Sequence, residues 1–90
     1  MSGALLPFGA TVITPAAQEA LRPADIVMAL RRHATGDWGV LSPPDVRENE
    51  RGLARGGRLF SAYDSAGGVR FWVITECDRS VTTVLLPMDY

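Results

Sequence analysis

The chain has 90 residues, 47% of them hydrophobic and 21% charged, with nine basic against ten acidic side chains and a net charge of -1. That supports one small domain over residues 1–90 with a modest core. It excludes a wholly disordered chain, a strongly basic nucleic-acid binder and a heavily acidic DNA mimic.

No apolar run nears the ~18 residues of a membrane span, and Met1–Phe8 lacks the basic flank and long apolar run of a signal peptide. The single cysteine, Cys77, can neither close an internal disulfide nor anchor a thiolate zinc site alone. The expectation is a cytoplasmic domain with no membrane association. All nine basic residues are arginine. A GC-rich genome accounts for that, while the arginine fork also suits bidentate contacts.

In chain order, Gly9–Ile13 reads as a short strand or an extended arm. Thr14-Pro15 is a capping hydroxyl followed by proline at the first helical position, opening a short helix to about Leu21. Pro23 interrupts it, and a second helix runs to about His33, with Ile26, Ala29, Leu30 and His33 on one face. Gly36 is placed to end it in a left-handed conformation. Ser42-Pro43 repeats the start signal for a third helix, which Gly56-Gly57 ends. Its apolar stripe is thin, Val46 and Leu53 standing one heptad apart, so it is expected at the periphery.

Strands are predicted at Arg58–Tyr63, Val69–Glu76 and Val81–Leu86, joined by turns at Asp64–Gly68 and Cys77–Ser80. The middle one is apolar on both faces, through Phe71/Val73 and Trp72/Ile74, as a central strand covered on two sides would be. Helices are expected on one face, and the N-terminal segment or a partner chain on the other. The predicted fold is α+β: two or three N-terminal helices packed on a three- to four-stranded antiparallel β-meander.

Three constellations stand out. His33, Asp37 and Trp38 could form a general-base pair beside a stacking ring. The plainer account makes His33 a helix-end residue bonding the last carbonyls, Asp37 a turn residue and Trp38 a core plug. Arg47, Arg51 and Arg55 share a helical stripe with Arg58 just beyond, a candidate grip for an acidic surface or phosphates. Interleaved Asp45, Glu48 and Glu50 make a solvated face the competing account. The turn holding Asp78 and Arg79 could belong to the same partner-binding surface, or simply bond itself and pair Arg79 with Glu76 or Asp78. A small nuclease would draw on His33, Arg70, Arg79 and Thr82. No phosphate loop, paired metal-ligand histidines, nucleophile elbow or dinucleotide fingerprint is present, so no metal or cofactor is expected.

Gly36-Asp37-Trp38-Gly39, Glu48-Asn49-Glu50, Arg58-Leu59-Phe60-Ser61-Ala62-Tyr63, Trp72-Val73-Ile74-Thr75-Glu76, Asp78-Arg79-Ser80, Leu85-Leu86-Pro87 and Tyr90 follow one another in this order. Together they resemble a widespread group of short, uncharacterised bacterial plasmid-related proteins, with departures at Val40, Cys77 and Met88. The resemblance implies a mobile-element setting and supplies no catalytic residue. Two functions follow as expectations. One is a non-enzymatic, anti-CRISPR- or anti-restriction-type protein that binds a host protein or nucleoprotein complex, as monomer or homodimer, through Arg47, Arg51, Arg55, Arg58, Asp78 and Arg79. The other is a metal-independent ribonuclease toxin.

Overall fold

The computed structural model describes residues 9–90. Their order is β1 (Ala10–Ile13), α1 (Pro15–Ala20), α2 (Pro23–Ala34), α3 (Pro43–Arg55), β2 (Leu59–Asp64), β3 (Arg70–Thr75), β4 (Val81–Leu85) and a closing 3-10 turn, Pro87–Asp89. The helix boundaries follow the chemistry of their ends. Thr14 Oγ1 accepts from the Ala17 N–H at 3.2 Å and Ser42 Oγ from the Asp45 N–H at 3.4 Å, each with proline directly behind. Gly36 and Gly56 take φ of 83° and 81° at the ends of α2 and α3, a region a Cβ disfavours.

The four strands form one sheet in the order β1-β4-β3-β2. β2, β3 and β4 are the expected antiparallel meander. The expectation of an all-antiparallel sheet is corrected by β1, which pairs parallel to β4, Ala10 facing Val81 and Ile13 facing Val84. The reason is topological. β1 lies at the sheet edge with the helices between it and the meander, a crossover long enough to bring it in alongside β4 in the same direction.

Alternation divides the sheet. Tyr63, Phe71, Val73 and Val84 face the helices and are buried, packed with Ala17, Leu21, Ile26, Ala29 and Leu86, and Leu59 is buried on the same face beside α3. Phe60, Trp72, Ile74 and Leu85 face the other way, so β3 is the central strand with two apolar faces. The expected N-terminal cover lies largely outside the described residues; Ala10–Ile13 instead extends the sheet as β1. Part of the second face is covered by the chain's own end, where the Tyr90 ring meets Trp72 at 5.7 Å.

α3 does not pack through the stripe that its apolar residues suggest. Leu53 is 43% exposed, while Asn49 and Gly52 are buried. The Asn49 amide reproduces a strand's hydrogen bonds: Nδ2 donates to the Phe60 carbonyl at 2.6 Å, and Oδ1 accepts from the Phe60 N–H at 2.9 Å. Gly52 lets the helix approach the Arg58 carbonyl and the Leu59 side chain. Beyond it, Gly39 bridges Ala62, with the Val40 N–H donating to the Ala62 carbonyl at 2.8 Å.

Candidate functional site

Trp38 is buried, as a core plug would be, and its ring stands edge-on to His33 at 5.6 Å. His33 is fully buried. It reaches past the carbonyls of its own helix into the sheet, with Nδ1 2.6 Å from Ser61 Oγ and Nε2 2.9 Å from Thr75 Oγ1. A neutral ring donates through one nitrogen and accepts through the other. Thr75 Oγ1 in turn lies 2.7 Å from Thr82 Oγ1. Burial, and secondarily the Arg79 charge, push His33 down to about 4. The ring is therefore neutral, inside a polar relay sealed from solvent. Thr82 does join His33, through Thr75, a convergence the spacing does not suggest. Arg70 stands apart, paired with Asp64 at 2.5 Å at the far end of the β2–β3 hairpin. Asp37 pairs with Arg32 at 2.7 Å, which holds its carboxyl below the usual range.

Arg79 is committed to the fold. Its guanidinium donates to the carbonyls of Gly57 at 2.6 Å, Glu76 at 3.1 Å and Gly52 at 3.1 Å, and to none of the carboxylates expected as its partners. It closes the C-terminal end of α3, where a cation is favoured, and accepts a φ of 62° to do so. Asp78 takes part in the same turn, its carboxylate accepting from the Ser80 N–H at 2.9 Å. Hydrogen bonds from Ser80, its side chain first, hold that carboxyl low.

The remaining candidates gather elsewhere. Arg47, Arg51 and Arg55 form an exposed stripe along α3. Arg51 pairs with Glu48 at 2.6 Å. Among the described residues, neither Arg47 nor Arg55 has a hydrogen bond or ion pair. Arg58 donates to the Tyr90 hydroxyl at 2.8 Å and approaches Glu76 at 3.4 Å, contacts that hold its charge in place.

Between α3 and the second sheet face lies a cleft of about 510 Å³ lined by Glu48, Arg51, Arg55, Arg58 and Phe60 among others. Arg58 and Phe60 also line an adjoining groove of about 310 Å³ with Trp72, Ile74 and Tyr90. The aromatic rings pack edge to face, Phe60 on Trp72 at 5.1 Å and 88°. An arginine-bearing cleft thus adjoins a small aromatic box, the two sharing Arg58 and Phe60. Arg58 at its rim disfavours a cationic guest, which would otherwise suit an aromatic cage.

Sequence reasoning finds the arginines and misses the box. Trp72 is legible as a residue of a doubly apolar strand, but Tyr90 comes to it from the turn that follows β4. Among the described residues there is no cluster of three or more His, Cys, Asp or Glu side chains suited to a metal ion. No helix among them is long and apolar enough to cross a membrane. No known family, curated protein or solved structure matches the chain.

Proposed function

We propose that the chain is a non-enzymatic binding protein of a mobile element, which blocks a host defence or regulatory complex by occupying one of its surfaces. The observation that carries this reading is the cleft joining Arg51, Arg55 and Arg58 to the box of Phe60, Trp72, Ile74 and Tyr90. Such a surface suits an acidic protein patch that presents one apolar side chain. The apolar group supplies the area-dependent term, and the arginines add charge-assisted hydrogen bonds and steer the encounter. The burial of His33, and the use of both its ring nitrogens inside the core, disfavour the ribonuclease alternative, since a general base must reach its substrate's proton directly or through one water.

The test is plasmid establishment in a host with an active restriction or CRISPR system, with and without the protein. Wild-type protein raises establishment. A variant carrying Arg51→Glu, Arg55→Glu and Trp72→Ala does not, while its circular dichroism is unchanged. Purified protein that cleaves RNA, with the activity lost in His33→Gln, replaces this reading with the toxin one.

A further inference from the structure

The two edges of the sheet are treated differently. At β2, the Phe60 backbone is paired by the Asn49 amide and the Ala62 backbone by the Trp38–Val40 segment. At β1, the Ala10 N–H donates inward to Ser80 and the Thr14 N–H to Val84, both at 3.0 Å. Alternation along the strand then turns the N–H and C=O groups of Thr11 and Ile13 outward. Among the described residues nothing pairs with them. Apart from its shortness, the strand carries none of the usual devices that blunt an open edge: Ala10-Thr11-Val12-Ile13 holds no charge, no proline and no bulge, and three of its residues are strong strand formers. Val12 is 47% exposed, pointing to the same sheet face as Thr83.

We infer that β1 is the pairing edge for a second copy of this chain, joined antiparallel about a two-fold axis through Val12. The register follows from the outward groups. Setting Thr11 against Ile13 of the second copy pairs every outward N–H and C=O of the strand, and it places Val12 opposite Val12. An uncharged strand meets itself without opposing like charges, which would disfavour the pairing. A two-fold contact is self-complementary, and the β2 edge is occupied, so the assembly closes as a dimer rather than growing into a filament. The contact is one short strand per copy, at the small end of specific interfaces, so the dimer is weak.

Sedimentation equilibrium of the full chain tests this. The expected result is a monomer–dimer equilibrium with a micromolar dissociation constant. Val12→Glu and Val12→Arg are each expected to be monomeric with unchanged circular dichroism, because each sets like charges opposite one another. Mixing the two variants restores the dimer mass, since glutamate then faces arginine. In the wild type, the Thr11 and Ile13 amides exchange more slowly as concentration rises. Wild-type protein that stays monomeric up to about 1 mM, a very weak association on any scale, overturns the proposal. So does a dimer that persists in both single variants, or a mixture of them that stays monomeric.

Discussion

The burial of His33 makes stability depend on pH in a defined window. In the folded state the ring is held neutral, at about 4, whereas in the unfolded chain it titrates near 6.5. The unfolded chain therefore binds more protons between those values. Stability is fully present above the unfolded value and falls as pH drops toward the folded one. The gap corresponds to about 3 kcal/mol in all, of which about 2 kcal/mol is lost between pH 7.5 and pH 5. For a domain of this size that lowers the melting midpoint by roughly 10 °C. The carboxylates held low by partners, Asp37 by Arg32 and Asp89 by Thr14, act in the same direction but only at more acid pH, so they leave this window to His33. The assay is urea denaturation followed by tryptophan fluorescence at pH 7.5, 6 and 5, in wild type and in His33→Gln. The wild type is expected to lose stability across the series. His33→Gln starts lower, because the Ser61 and Thr75 hydroxyls lose their fitted partner, and its stability then stays level. Equal midpoints in the wild type at pH 7.5 and 5, or the same slope in both proteins, would refute the argument.

Other expectations follow from the contacts described. Trp38→Ala empties a buried site beside His33 and costs about 3–5 kcal/mol, read as a fall in the thermal midpoint; an unchanged midpoint would place Trp38 at the surface. Asn49→Ala leaves the Phe60 backbone groups without their partner and costs roughly 1–3 kcal/mol. The amide of Phe60 should then lose its hydrogen-exchange protection. Arg79→Met destabilises by about 1.5–3 kcal/mol through its carbonyl contacts. The solvated Arg55→Met stays within about 0.5 kcal/mol, and equal effects in chemical denaturation would contradict the different roles assigned to these two arginines. Gly39→Ala should yield little folded protein, because its Cβ would overlap the Ala62 carbonyl at a φ of 76°.

The elements were legible where the signal is local. Hydroxyl-proline pairs opened α1 and α3, glycines closed α2 and α3, and apolar residues on both faces marked β3 as central. What escaped depends on partners distant in the chain. β1 is short and uncharged, and nothing within it states that its neighbour is the last strand rather than the next one. The packing of α3 through Asn49 and Gly52 is invisible to an apolar-stripe reading, because a polar amide and a missing side chain do the work of burial. Arg79 looks like a surface charge until α3 brings the Gly52 and Gly57 carbonyls to it. The arginine stripe was readable because it lies on one helix. The aromatic box was not, since it joins Phe60, Trp72, Ile74 and Tyr90 from two strands and the chain's end.

The parallel pairing of β1 with β4 also sets a schedule for synthesis. The two strands are separated by residues 14–80, so that long loop must close before β1 gains its neighbour, whereas β4 can pair with the adjacent β3 without it. A ribosome adds roughly 5–20 residues per second, so β1 waits on the order of several seconds for its neighbour. The β2–β3 hairpin, joined by a short turn, is able to form earlier. During that interval, Thr-Val-Ile of β1 is an unpaired, uncharged stretch in a growing chain. That is the period in which a nascent-chain chaperone, or a neighbouring polysome's product, would encounter it.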